Sequence, residues 1–365
     1  MSTSGSQIRV LVVDDSALMR SMIKQMLASD PGVTVIDSAG SGQVALQKIR
    51  EQRPDVVTLD FEMPGMSGLE LLQRIMAECP VPAVMLSAHT TSGARQTLDA
   101  LEAGAVDYVA KPSGERGGRL PEVAEILLQK IHAAASANLV RVRQMSQPQA
   151  SPPSRPVRPS VPATACPTGN PATVIAIGIS CGGPQTLVQV FPSIPADCPP
   201  IVLTQHMPPG FTHSFAERLD RMSAIEVKEA AENDAVVPGR ALIAPGDAHL
   251  TVVGRPGQLR VRLDRRGPVC GHMPSADVMF RSVVEACGGA AVGVLMTGMG
   301  NDGAEALGLI RAAGGHTLAQ DQDTCIVFGM PKVAIELGNA EEVLPLDQIV
   351  PGMLAAAAAT PAGSV

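Results

Sequence analysis

The 365-residue chain has no tryptophan, one tyrosine (Tyr108) and six phenylalanines, so aromatic residues make up only 2%. That scarcity argues against modules that stack nucleic-acid bases on aromatic platforms. Positive charge is also in short supply. The 28 Lys and Arg against 35 Asp and Glu leave a net charge of −7, the wrong sign for neutralising phosphates, so no nucleic-acid partner is expected. No stretch reaches the ~18 to 20 continuous apolar residues of a membrane-spanning helix. Residues 1–15 meet an acidic pair before a signal-type apolar core can form, so neither secretion nor membrane insertion is expected. Seven cysteines without CxxC spacing neither staple a small secreted fold nor build a zinc site; they point to reduced, cytoplasmic thiols.

What is present reads as globular: 45% apolar and 17% charged residues, in a chain long enough for two or three domains. Charge and proline divide it. Residues 1–130 carry 12 basic and 16 acidic side chains, and residues 172–365 carry 12 and 19. Between them, residues 131–171 hold four arginines and no acid, with eight prolines from Pro148 to Pro171. Such a polymer buries too little apolar area to offset its ordering entropy. The expected organisation is therefore a domain over 1–131, a basic, Pro-rich flexible linker over 132–171, and a second domain over 172–365.

In the first domain, short apolar runs at 8–13, 33–36, 56–59, 83–86 and 108–110 alternate with helix-period runs. From Ser16, a plausible N-cap, the pairs Leu18/Met19, Met22/Ile23 and Met26/Leu27 recur on one helical face. Five such βα units predict a doubly wound, five-stranded parallel sheet with helices on both faces. Reactive groups of that fold gather beyond the carboxyl ends of the strands. Here those ends carry Asp14 and Asp15, Asp60, Ser87, and Lys111 followed by Pro112. Three carboxylates in one crevice repel each other unless they share a cation, which makes a Mg²⁺ site a natural inference. One carboxylate could then attack a phosphoryl group, with Ser87 and Lys111 supplying a hydroxyl and a positive charge for its oxygens.

These residues carry a resemblance. VLVVDDSALMR, VVTLDFEMPGMSGLELL, VMLSA and DYVAKP together resemble the receiver domain of bacterial response regulators. The resemblance implies phosphorylation of Asp60 by a histidine kinase, Mg²⁺ held by Asp15 and Asp60 with Asp14 assisting, and switching through Ser87 and Lys111. Tyr108 falls at the family's aromatic switch position.

The second domain repeats the alternation. Runs at 174–179, 201–204 and 292–296 read as buried parallel strands, and the patterns between Arg240 and Asp264 as a strand and hairpin insertion. A doubly wound α/β domain with an antiparallel hairpin at its edge follows. Gly178-Ile179-Ser180-Cys181-Gly182 fits G-x-S-x-G between a strand and a helical run, the setting that exposes a nucleophilic serine. The Cys181 amide would then donate to an oxyanion at a helix N-terminus. His206 ends one strand, and Asp302 lies in the turn MTGMGND beyond another. A serine hydroxyl needs a general base, and the imidazole a carboxylate that fixes its tautomer, so His206 and Asp302 complete a candidate triad.

The order Ser, His, Asp differs from that of α/β-hydrolases, so the pentapeptide does not place the chain in that fold. His213, His249, His272 and His316 stand as alternative bases; a trio of Ser180, an intervening Asp and His316 is the specific rival. Cys181 is an alternative nucleophile. No histidine pair has HExxH spacing, which disfavours a metal-dependent hydrolase.

A second resemblance enters with VIAIGISCGGPQTL, LTQHMPPGFTHSFAERLD, ALIAPGDAHL, PSADVMFRSVV, GVLMTGMGNDGAEAL and VFGMPKVAIELG. Together these resemble the catalytic domain of the chemotaxis protein-glutamate methylesterase family, whose receiver, linker and esterase order the chain shares. The resemblance implies nucleophile Ser180, base His206 and acid Asp302, with the backbones of Cys181 and Met299 forming the oxyanion site and no cofactor for the esterase. Cys181 stands where the family usually has threonine. The implied activity is demethylation of glutamyl methyl esters, and deamidation of glutamines, on methyl-accepting chemotaxis receptors, controlled by a chemotaxis histidine kinase as phosphodonor. A response regulator that only binds receptors, and a different serine hydrolase or peptidase, are the alternative readings.

Overall fold

The computed structural model describes residues 7–87, 91–111, 120–146 and 173–360, and the chain divides into two compact units at Gln147 and Pro148. In the first unit the strands are β1 (Ile8–Val13), β2 (Val33–Ala39), β3 (Val56–Asp60), β4 (Ala83–Ser87) and β5 (Asp107–Ala110). The helices are α1 (Ala17–Leu27), α2 (Gly42–Gln52), α3 (Gly68–Glu78), α4 (Thr91–Glu102), α5 (Leu120–Ala135) and α6 (Leu139–Met145). The sheet is wholly parallel in the order β2-β1-β3-β4-β5, the flavodoxin-like arrangement expected of five βα units. β1, β3 and β4 are continuous apolar runs because both sheet faces are covered.

Leu18 does not share the buried face of α1: it is 71% exposed, while Ile23 and Leu27 are buried and the methionines lie between. Ser16 does cap the helix, its hydroxyl accepting from the Met19 amide. The first unit also runs past residue 131, because α5 continues to Ala135 and α6 follows. Ala133, Ala134 and Val142 are buried, so this part of the supposed linker belongs to a packed core. The Pro-rich residues 148–171 lie outside the described residues.

The second unit contains β6 (Val174–Ile179), β7 (Ile201–Gln205), β8 (Glu226–Glu229), β9 (Arg240–Ile243), β10 (His249–Val253), β11 (Arg260–Asp264), β12 (Ala291–Leu295), β13 (His316–Gln320) and β14 (Glu342–Leu344). Its helices are α7 (Gly183–Val190), α8 (Phe211–Met222), α9 (Ala276–Cys287), α10 (Ala304–Ala312), α11 (Met330–Glu336) and α12 (Leu346–Ala359). Seven strands form one parallel sheet in the order β14-β13-β12-β6-β7-β9-β8. The antiparallel hairpin is present, and β10 and β11 form a two-stranded sheet of their own. β8 and β14 escape a periodicity reading because one has a single apolar residue, Val227, among three charged ones and the other is three residues long. Strand order reverses between β6 and β12, so the crevice at their carboxyl ends is where this fold places ligands. Phe280, Val283, Leu295, Leu307 and Ile310 belong to the core on which α9 and α10 rest. No helix among the described residues is long and apolar enough to cross a membrane.

Candidate active site and acidic cluster

The acidic cluster lies where β1 and β3 end. Carboxylate oxygens of Asp14, Asp15 and Asp60 all lie within 4.8 Å of one another; Asp14 and Asp60 are buried and Asp15 is exposed. Three hard oxygen donors converging at this spacing fit a divalent cation such as Mg²⁺. Lys111 reaches into the cluster from the end of β5, with Nζ 2.9 Å from Asp14 Oδ2 and 2.7 Å from Asp60 Oδ1. Burial raises the Asp60 carboxyl above its ordinary range, against the opposing pull of Lys111. Burial also disfavours the charged Lys111 ammonium, but the hydrogen bonds and charges of Asp60 and Asp14 outweigh it and raise the ammonium's pKa.

Ser87 is buried at the end of β4, and Thr97 Oγ1 of α4 lies 2.8 Å from its hydroxyl. Tyr108 is buried on β5, where burial first and the Asp107 charge second push its phenol well above the usual value. Sequence reasoning missed Arg20, whose guanidinium donates to the carbonyls of Asp14 (2.7 Å) and Asp15 (3.0 Å) and so clamps the acidic loop. Thr97 was missed as well. Each lies within the first two turns of a helix, where nothing local distinguishes it from an ordinary surface or core position.

In the second unit Ser180, His206 and Asp302 follow β6, β7 and β12, adjacent strands whose carboxyl ends share one edge. The three side chains meet. His206 Nδ1 is 3.0 Å from Ser180 Oγ, and His206 Nε2 is 2.8 Å from Asp302 Oδ2. The carboxylate can only accept, so it fixes the proton on Nε2 and leaves Nδ1 as the basic nitrogen facing the hydroxyl.

Backbone geometry makes the meeting possible. Gly182, the N-cap of α7, has φ +77°, and a Cβ there would approach Ile326 Cβ to 2.5 Å. Gly298 allows the β12–α10 loop to touch Ser180: a Cβ at this position would stand 2.8 Å from Ser180 Cβ and 2.4 Å from Met330 Sδ. The next amide, that of Met299, donates to no backbone carbonyl among the described residues. Gln205 ties the elbow to the histidine, its Nε2 donating to the carbonyls of Ser180 (3.0 Å) and His206 (3.2 Å).

Burial by itself disfavours the Asp302 carboxylate, yet donors more than compensate and hold its pKa at about 2. Besides His206, Ser275 Oγ donates to Oδ1 (2.7 Å), Ala276 N to Oδ2 (2.6 Å) and Asp277 N to Oδ1 (3.2 Å). The last two are amides of the first turn of α9, so the carboxylate sits on a helix N-terminus.

The other histidines stand in different settings. His316 begins β13, at the opposite end of the sheet, and pairs with Glu341. His213 is exposed on α8 beside Glu217 and Glu229. His249 is buried between Ser275 N and Gly267 O. His272 instead stacks on His206, the ring centroids 4.1 Å apart and the planes inclined by 9°. The loop that presents it turns at Cys270 and Gly271, both at positive φ, between the mutual hydrogen bonds of Val269 and His272. A cysteine at a positive φ conceals that turn from sequence inspection.

Comparison with known proteins finds a family for each of the two units. The model of the CheB methylesterase family matches residues 175–353, and that of the response regulator receiver domain matches residues 10–119. A protein-glutamate methylesterase/protein-glutamine glutaminase 2 of Koribacter versatilis is 49% identical over 94% of this chain and 94% of its own length. Its namesake in Pseudomonas aeruginosa is 44% identical over 98% of this chain and 99% of its own. The crystal structure of the Thermotoga maritima CheB methylesterase catalytic domain is 40% identical, covering 50% of this chain and 97% of that one, with a TM-score of 0.49. With identity of this level sustained over nearly the full length of both sequences, the chain belongs to the CheB methylesterase family and carries that family's response regulator receiver domain.

Proposed function

We propose that the protein hydrolyses γ-glutamyl methyl esters, and deamidates glutamines, on chemotaxis receptors, and that phosphorylation of its receiver domain activates it. The observation that carries the reading is the continuous Ser180–His206–Asp302 hydrogen-bond chain at 3.0 and 2.8 Å. Ser180 Oγ attacks the ester carbonyl carbon while its proton passes to His206 Nδ1. Asp302 stabilises the imidazolium, and the amides of Cys181 and Met299 receive the negative charge on the carbonyl oxygen. Collapse expels methanol, which takes the proton from Nδ1. Water then attacks the acyl-enzyme with the same base, releasing glutamate and restoring Ser180. An amide follows the same course with ammonia as the leaving group.

In the receiver, Asp60 is the phosphoacceptor and a chemotaxis histidine kinase the donor. Asp14, Asp15 and Asp60 would hold Mg²⁺, which when bound shields the incoming phosphoryl oxygens from the three carboxylates. Lys111 offers its ammonium to the same oxygens, and Ser87 and Tyr108 are the switch residues that follow the new charge. The carbonyls clamped by Arg20 keep Asp14 and Asp15 turned towards Asp60.

Methanol release from a methylated receptor, measured with and without acetyl phosphate, tests both halves. Ser180→Ala is expected to lose about 10³-fold or more of the rate. Asp60→Asn is expected to keep the basal rate and lose the stimulation. Full methanol release by Ser180→Ala would sink the hydrolytic mechanism, and undiminished stimulation of Asp60→Asn would sink the phosphoacceptor assignment.

A further inference from the structure

We propose that Ser275 and His249 are positioning residues of the esterase reaction, extending the Ser180–His206–Asp302 chain into a five-residue relay that holds the Asp302 carboxylate in register with the base. The inference rests on the reading of those three residues as nucleophile, base and acid.

A carboxylate offers about four lone-pair directions, and Asp302 uses them all. Oδ2 receives His206 Nε2 and Ala276 N, and Oδ1 receives Ser275 Oγ and Asp277 N. Two of these donors are backbone amides of α9, one is the base itself, and the fourth is the Ser275 hydroxyl. That hydroxyl is oriented in turn, because the Val278 amide donates to its oxygen (3.4 Å) and leaves its single proton for Asp302.

The Ser275 backbone is fixed from the other side. Its amide donates to His249 Nδ1 (3.0 Å), and His249 Nε2 faces the Gly267 carbonyl (2.8 Å). An amide can only donate and a carbonyl can only accept, so His249 is held as the neutral Nε2–H tautomer. Ser275 therefore donates in two directions, through its amide to His249, which donates on to the Gly267 carbonyl, and through its hydroxyl to Asp302, which also accepts from His206, whose Nδ1 faces Ser180. His249, Ser275 and Asp302 are each no more than 2% exposed, so water does not substitute for any link.

The fold gives the relay a purpose. His249 opens β10, the hairpin strand outside the seven-stranded sheet, and Ser275 is the N-cap of α9. The chain leaving the hairpin supplies Gly267 and then His272, which stacks on the base. The hairpin thus reaches the acid through His249 and the base through His272. If Asp302 rotates away from Nε2, the imidazolium formed during attack loses its counter-charge while the ester still binds. Loss of a positioning partner should therefore appear in kcat rather than KM.

The test uses the full-length protein, activated by acetyl phosphate and assayed for methanol release from a methylated receptor. Ser275→Ala is expected to lower kcat about tenfold or more with KM unchanged, the usual effect of removing a partner behind a reacting group. Ser275→Thr, which keeps the hydroxyl, should recover most of the rate. His249→Asn retains an acceptor for the Ser275 amide and should outperform His249→Leu. The Ser275→Ala/His249→Leu double variant should be little worse than its poorer parent, because the two act as one unit. Wild-type kcat in Ser275→Ala, a loss confined to KM, or equal losses in Ala and Thr would overturn the positioning role. Ser180→Ala, assayed in parallel, separates the two readings. If it is inactive, a failure of the Ser275 variants counts against the relay alone; if it is active, the triad falls and the relay with it.

Discussion

Asp302 keeps its charge inside the protein because four donors meet it there, and this makes its titration a property of the folded state. Its carboxyl is held at about 2 when folded, against a reference value of 3.8. A depressed folded value stabilises the protein fully above the unfolded pKa, and that contribution is lost as the pH falls from about 4 towards 2. Asp302→Asn should therefore flatten the acid limb of the stability curve by on the order of 2 kcal/mol. Urea midpoints of both proteins between about pH 5 and pH 2 check this, and parallel curves would mean that another group governs acid unfolding. The same residue shows what can be read from a sequence at this scale. Asp302 stood out because it lies in a turn just beyond an apolar strand. Ser275 did not, because an N-cap serine announces a helix start and says nothing about which carboxylate its hydroxyl meets.

Among the elements, the strand-to-helix turns do most to build the site, and α9 holds it together. β1 and β6 have the bounds their apolar runs predict, since strands covered on both faces are continuous apolar segments. The face of α1 was harder to read. Helical spacing gives a stripe, but which edge of the stripe is covered depends on neighbouring elements, and Leu18 falls on the open edge. α9 presents its first turn to Asp302 and its fully buried Phe280 to the core beneath. Phe280→Ala should cost about 3–5 kcal/mol, the usual range for a large aromatic deleted from a packed core. Urea unfolding of the second unit measures it, and a loss below about 1 kcal/mol would mean that the core collapses to fill the space.

For the whole molecule, the sequence division into two α/β domains corresponds to two compact units, with the first boundary shifted. A receiver fragment ending at residue 131 would lose the burial of Ala133, Ala134 and Val142. It should be less stable than a fragment ending at residue 147 by about 2 kcal/mol, and equal urea midpoints would restore the earlier boundary. Composition misled there because α5 and α6 are basic and acid-free in their last turns like the Pro-rich stretch beyond, while burial rather than charge decides membership of a core. By itself the sequence determined the two sheets, the residue types that gather at their strand ends and the family, because parallel βα units bring every strand end to one edge. Only the tertiary structure decided which of several histidines faces Ser180, that its Nδ1 is the basic nitrogen, and that Ser275 and His249 stand behind Asp302. Those choices depend on contacts between residues 26 to 96 positions apart, fixed by packing and donor-acceptor geometry that no local pattern encodes.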